Sequence, residues 1–198
     1  IYNMAEWLDT CFRSILNQSI DPQMVEVLMI DDGSEDNSLD IMKRYSEKYS
    51  NFKCYTKENG GPAQARNYGI KHATGKYLMY LDPDDYLGKN TIESVCNFFD
   101  RHYDEIDVVT YKIIPIKDGE EQDLHFRYEV LKSQGVYDLT EPENSFICHT
   151  TMNTCVKNKF EKNVLFSENL FYHEDQKYNI DTLKEKQKIG YCDNAEYY

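Results

Sequence analysis

Apolar residues recur at helical spacing from Ala5 to Asn17, where Leu8, Cys11, Phe12, Ile15 and Leu16 share one face. The run "VEVLMI" at 25–30 is short and β-rich, and it stops abruptly in Asp31-Asp32-Gly33-Ser34. Helical spacing returns with Leu39, Met42, Tyr45 and Tyr49, with Ser34 or Asp36 available as the N-cap. "FKCYT" at 52–56 reads as a strand and "KENGGP" as a loop. Pro62 opens the next helix, where a missing N–H costs nothing. A strand over 76–81, a helix over about 89–102 carrying Ile92, Val95, Cys96 and Phe99, and a strand over 107–114 continue the alternation. Beyond it the period is lost. Asp118-Gly119 marks a turn, residues 120–170 mix short strands and loops, a helix is predicted from about Glu174, and strand-like runs lie at 188–192 and 195–198.

Strand alternating with helix predicts an α/β domain whose central sheet is mainly parallel and covered on both faces, with an irregular C-terminal third. A chain of 198 residues suits one such domain, read as two halves, 1–115 and 116–198. Against 22 basic side chains stand 35 acidic ones, a formal charge of −13 that would repel a phosphate backbone and argues against a general nucleic-acid binder. One phosphorylated small molecule stays open, because a bound cation reverses the field locally. The six cysteines (11, 54, 96, 148, 155 and 192) form no C-x-x-C pair, so reduced thiols are expected rather than a disulfide framework. Cys148-His149 with Cys155 is too sparse for zinc. No apolar run approaches the ~20 residues of a membrane span, and no signal peptide is visible. "IYN" reads as the tail of a strand with no methionine before it, so the chain is expected to begin inside a longer gene product.

In open α/β sheets, ligands bind beyond the C-terminal ends of the strands. Two acidic clusters fall there: Asp31-Asp32, and Asp82-Pro83-Asp84-Asp85 after "YLMYL". One such cluster is ordinary turn chemistry. Two clusters on strands of one sheet point to use, because crowded carboxylates repel and invite a cation. Hard oxygens suit Mg²⁺ or Mn²⁺, ions that typically bridge one or two carboxylates to substrate phosphates. The 82–85 cluster fits that role, and Asp31-Asp32 could accept hydrogen bonds from a base or ribose. In "ENGGPAQARNYG" (58–69), Gly60-Gly61 permits backbone shapes closed to other residues. Arg66, one turn into the helix, could fork onto a phosphate or pair with a nearby acid. This loop is neither G-x-G-x-x-G nor a P-loop. In "FYHEDQKYN" (171–179), Glu174 and Asp175 are candidate general bases and equally first-turn helix residues, while His173 reads as an ordinary loop histidine. The aromatics Tyr111, Phe126, Tyr128, Tyr137 and Phe146 either stack on a sugar ring or belong to the core.

Taken together, these residues resemble a family 2 glycosyltransferase of the GT-A type, a Rossmann-like nucleotide-sugar-binding domain. That family runs from a strand ending P-x-Y-N to a helix ending S-I-L-N-Q, then D-D-G-S-x-D-x-S, N-x-G-x-x-x-A-R-N-x-G and L-D-x-D-D. Here stand "IYN" (1–3), "SILNQS" (14–19), "IDDGSEDNS" (30–38), "NGGPAQARNYG" (59–69) and "LDPDD" (81–85), with "HED" (173–175) where the family places an E-D pair. The resemblance implies an inverting transfer from a nucleoside-diphosphate sugar, in the first place a UDP-sugar, to a glycan or lipid-linked acceptor. The usual setting is bacterial surface polysaccharide synthesis at the cytoplasmic face of the membrane. Carried across by residue, it implies Asp175 as catalytic base, Asp84 as ligand to Mn²⁺ or Mg²⁺, and Asp32 at the base with Asp31 supporting that pocket. Asp82 would lie at the ribose or the metal environment, with Asn3, Asn59 and Arg66 on the nucleotide side. Peripheral membrane association of a longer chain is a further implication. The region after Asp175 is short, which leaves open whether acceptor-binding helices or a membrane segment belong to the full product.

Three rivals share parts of this pattern. A phosphoacceptor receiver domain pairs aspartates at strand ends but has no use for "NGGPAQARN". A nucleotidyltransferase would release pyrophosphate rather than a nucleoside diphosphate. A silent binding module would keep the nucleotide pocket without turnover.

Overall fold

The computed structural model describes residues 1–122, 131, 133–144, 152–159, 162–170 and 173–198. Helix α1 (Leu8–Leu16) buries Leu8, Cys11 and Phe12, the stripe its spacing dictates. They pack with Met29 of strand β1 (Val27–Asp31), Ile41 and Met42 of helix α2 (Ser38–Lys48), and Phe52 of strand β2 (Phe52–Thr56). β1 and β2 run parallel, with Asp31 opposite Thr56. Helix α3 (Pro62–His72) returns across β1, and strand β3 (Tyr77–Met79), helix α4 (Thr91–Arg101) and strand β4 (Val108–Ile113) follow.

Strands β5 (Ile116–Lys117) and β6 (Glu120–Glu121) form a hairpin around Asp118-Gly119, both at positive φ, which is the turn expected there. Strands β7 (Gly135–Asp138) and β8 (Thr154–Lys157), helix α5 (Glu174–Leu183) and strand β9 (Lys188–Tyr197) complete the described chain. β1 and β2 form a two-stranded sheet of their own, so among the described residues the two acidic clusters follow strands of different sheets and not of one as expected. The larger sheet has the order β3-β8-β4-β9-β7. Among the described residues of this sheet only β4–β9 pairs in parallel, and the other three pairings are antiparallel. The α/β architecture holds, but the sheet is mixed where the alternation alone suggested mainly parallel pairing. β8 inserts between β3 and β4 against their direction, and it comes from the stretch where no helical period was found.

Side chains alternate across this sheet. Val109, Tyr111 and Cys155 join the cluster under α4, with Val95, Phe98 and Phe99. Val108, Val156 and Ile189 join the opposite cluster, with Ala63 and Ile70 of α3 and Tyr178 of α5. Both faces are therefore covered. Tyr111 is fully buried and its hydroxyl donates to the Met152 carbonyl, so it is core. Tyr137 is partly buried, and Phe126, Tyr128 and Phe146 lie outside the described residues, as do Cys148 and His149. Cys11, Cys54, Cys96, Cys155 and Cys192 are free thiols. No helix among the described residues is long and apolar enough to cross a membrane.

Candidate active site

β1 delivers Asp31 and Asp32 to its C-terminal end, both buried. Asp31 closes the following turn. Its Oδ1 accepts from the Ser34 N–H (3.2 Å) and its Oδ2 from the Thr56 hydroxyl (2.9 Å), which ties β1 to β2. Asp32 reaches the glycine loop instead. Its Oδ1 accepts from Lys57 Nζ (2.5 Å) and the Gly60 N–H (3.0 Å), and its Oδ2 from the Gly61 N–H (2.7 Å). The two loops also approach through backbone, since a Cβ on Gly33 (φ +77°) would lie 3.0 Å from the Asn59 nitrogen. Gly61 adopts φ +86° where α3 begins.

The first residues lace over this turn. Asn3 Oδ1 accepts from the Glu35 N–H (2.8 Å), and the Asn3 N–H donates to Ser34 Oγ (3.0 Å). Asp36 accepts from the N–H groups of Ala5 and Ser38. The expected capping residues Ser34 and Asp36 are thus engaged, and Asn37 occupies the N-cap position of α2. The Ile1 nitrogen donates to the Ile30 carbonyl. Asp32, Asp31, Asp82 and Arg66 all lie within electrostatic reach of that nitrogen, so the four side chains converge on one small region.

β3 leads into the second acidic cluster, a turn closed by the Asp85 N–H donating to the Asp82 carbonyl (3.1 Å). Tyr197 of β9 holds this turn from the sheet side. Its hydroxyl accepts from the Asp82 N–H (3.1 Å) and donates to Asp85 Oδ2 (2.7 Å). Burial pushes the Asp85 carboxyl up to about 6; the Tyr197 hydrogen bond opposes this, and the charges of Asp84 and Asp82 add to it. Asp84 is exposed and has no protein hydrogen bond or ion pair among the described residues.

The third motif arrives with α5. Arg66, on α3, donates from Nη2 to Asp82 Oδ1 (3.2 Å) and from Nη1 to Glu174 Oε1 (3.5 Å), while its guanidinium lies 5.4 Å from the Phe166 ring centroid. Its side chain is 18% exposed. Asp175, beside Glu174 in the first turn of α5, is half-buried and has no hydrogen-bond or ion-pair partner among the described residues. His173 precedes the helix in the left-handed region (φ +64°) and makes no side-chain cap.

The donor set fits a hard divalent ion in one respect and limits it in another. Asp84 offers free carboxylate oxygens on an acidic turn, yet no three His, Cys, Asp or Glu side chains among the described residues are grouped to enclose a metal. Such an ion would draw on one or two carboxylates and complete its shell with phosphate oxygens and water.

The family model described as glycosyl transferase family 2 matches residues 1–163. The chain belongs to that family. It is 36% identical to the minor teichoic acid biosynthesis protein GgaB of Bacillus subtilis over its whole length, although it spans only 22% of that relative. It superposes on the Staphylococcus aureus TarS fragment 1–349 in complex with UDP-GlcNAc with a TM-score of 0.80 at 25% identity, covering 100% of this chain and 55% of that one. The mannosyltransferase PcManGT from Pyrobaculum calidifontis, in complex with GDP-Man and Mn²⁺, shares the fold at a TM-score of 0.67 and 18% identity, over 96% and 54%. The GT-A fold expected of this family 2 chain is the one observed.

Five participants escaped sequence reasoning: Lys57, Asn67, Phe166, Glu174 as a partner of Arg66, and Tyr197. Lys57 opens the "KENGGP" loop, and its place next to the glycines was the available signal. Asn67 is buried; it donates to the Phe166 carbonyl and Glu168 Oε1 and accepts from the Phe166 N–H. Nothing in the sequence pairs it with a segment about a hundred positions away.

Proposed function

We propose that the protein transfers a sugar from a nucleoside-diphosphate sugar, of the UDP class, to a hydroxyl of a glycan or lipid-linked acceptor with inversion, in the synthesis of a bacterial surface polymer. The observation that carries this reading is the Arg66 bridge. One guanidinium gathers Asp82 and Glu174 from separate motifs, beside two carboxylates, Asp84 and Asp175, that have no hydrogen-bond or ion-pair partner among the described residues. Asp175 acts as general base, its free oxygens accepting the acceptor proton as that hydroxyl attacks the anomeric carbon. Asp32 and Asp31 shape the nucleotide pocket with Asn3 and Asn59 around it, and Asp82 lies at the ribose side. Mn²⁺ or Mg²⁺ held by Asp84 would neutralise charge growing on the leaving diphosphate. Residues 1–115 form the donor half and 116–198 the acceptor half of one domain, working in the cytoplasm at the inner face of the membrane. GgaB and TarS, named for teichoic acid work and for UDP-GlcNAc binding, support the choice of donor and polymer.

The test is calorimetry with UDP and GDP, each with and without Mn²⁺, followed by transfer assays with the matching sugars. Binding of UDP that strengthens with Mn²⁺ and loses that gain in Asp84→Asn is expected. Asp175→Asn should lower turnover by roughly 10²–10⁴-fold. Pyrophosphate as product, or an Asp175→Asn enzyme of full activity, would overturn the reading.

A further inference from the structure

Two neighbouring carboxylates at the start of α5 have different surroundings. Glu174 is gripped by Arg66, while Asp175 is left without a partner among the described residues. His173, just before the helix, lies in a left-handed conformation and supplies no side-chain cap, so that end depends on other contacts for its direction. One turn along, Tyr178 is firmly held. Its ring stacks on Phe166 with centroids 4.0 Å apart and planes 4° from parallel, and its hydroxyl shares a 2.7 Å hydrogen bond with Tyr80. Positions 174 and 178 lie on one face of a helix. Tyr178 is therefore the pivot of α5, and the Arg66–Glu174 contact is the second point that fixes its direction. Arg66 is itself anchored by Asp82 and by the Phe166 ring, and the adjacent Asn67 pins Phe166 and Glu168.

We propose that Glu174 is a positioning residue for the transfer reaction: held by Arg66, it aims the N-terminal end of α5 and so holds Asp175 at the edge of the donor pocket. This rests on the reading of Asp175 as base. The division follows from the contacts, because Glu174 Oε1 faces the Arg66 guanidinium at 3.5 Å while the Asp175 oxygens, without a partner among the described residues, can accept a hydroxyl proton. Arg66 then serves both halves, touching Asp82 on the donor side and Glu174 on the base side.

The test uses the full chain with UDP-N-acetylglucosamine and UDP-glucose in Mn²⁺, with water as the acceptor of the sugar, reading UDP release by hydrolysis, together with hydrogen exchange over α5. Glu174→Ala should lower kcat by roughly 10- to 100-fold, the scale of a misplaced reacting group, with donor KM within about threefold. Glu174→Gln, which keeps an acceptor for Arg66, should recover most of that loss. In an Asp175→Asn background the same alanine substitution should cost less than about threefold, because a residue acting through Asp175 is not additive with its loss. The amides from Lys177 to Ile180, the first to be hydrogen-bonded within α5, should exchange faster in Glu174→Ala. A crippled Asp175→Asn beside a neutral or fully additive Glu174→Ala overturns this inference alone. Full activity in Asp175→Asn removes the base and this inference with it. If neither donor turns over, exchange decides: unchanged protection in Glu174→Ala overturns the bridge, and faster exchange supports it.

Discussion

Cys11 lies beneath the acidic turn, with its thiol 3.7 Å from the Asp82 carbonyl oxygen. Burial first, and then the charges of Asp85, Asp82 and Asp84, push that thiol up to about 12. At pH 8 its thiolate fraction is then on the order of one in ten thousand, and the thiolate is the species that alkylates. Iodoacetamide at pH 8 should leave Cys11 unmodified in the native protein and modify it after unfolding in guanidinium, as read by peptide mass spectrometry. Labelling of native Cys11 as fast as unfolded Cys11 would mean that the turn above it opens. Tyr197 supports the same turn from the other side. Tyr197→Phe leaves the Asp82 N–H and the Asp85 carboxylate each short of a hydrogen bond. The expected loss is about 1–3 kcal/mol, read as a lower urea midpoint with unchanged slope.

Among the elements, α3 does most to assemble the site, though its apolar pattern is the least helical to read. Its buried residues Ala63, Ala65, Asn67 and Ile70 include a polar one, and that polar one anchors the segment before α5. Asn67→Ala removes hydrogen bonds to Phe166 and Glu168 inside the protein. The expected cost is about 2–3 kcal/mol in denaturant unfolding, because backbone groups of Phe166 lose partners out of water. Most elements before residue 115 were legible because burial on one face imposes a period, as α1 and β2 illustrate. Strand β3 proved shorter than its apolar run, since Tyr80 leaves the ladder to pair with Tyr178. The acidic clusters were legible for a similar reason: "DDGS" and "LDPDD" are local, and each follows its strand directly. What joins them was not. The Arg66–Glu174 contact spans 108 positions and the Tyr197–Asp85 contact 112, and no spacing rule reaches that far. The antiparallel entry of β8 was hidden likewise, because hydrogen-bond direction leaves no mark on an apolar run.

At the scale of the whole molecule, the mixed sheet separates its two ends by chemistry. β3 and β4 each pair antiparallel to β8 and so run the same way, which puts Asp107, just before β4, at the end opposite the acidic turn after β3. There Asp107, 3% exposed, accepts from Lys159 Nζ (3.0 Å) and lies 3.1 Å from Lys157 Nζ and 3.7 Å from Lys186 Nζ. The cluster clamps β4 to β8 and to the link between α5 and β9. Burial alone would raise the Asp107 carboxyl, but hydrogen bonds from Lys159 and Lys157 outweigh it and hold the group below its ordinary range. A carboxylate held low in the folded state binds fewer protons there than in the unfolded chain, so stability rises with pH across the interval between the two values. The contribution is complete above the ordinary aspartate value of about 4 and is lost as pH falls below it. Asp107→Asn should therefore cost about 2–3 kcal/mol at pH 7, since it leaves Lys157 and Lys186 without an acidic partner among the described residues, while Lys159 keeps Glu185. It should also flatten the fall in stability below pH 4. Urea unfolding of both proteins from pH 3 to pH 7 measures both effects. Parallel curves throughout that range would assign the acid sensitivity to other carboxylates.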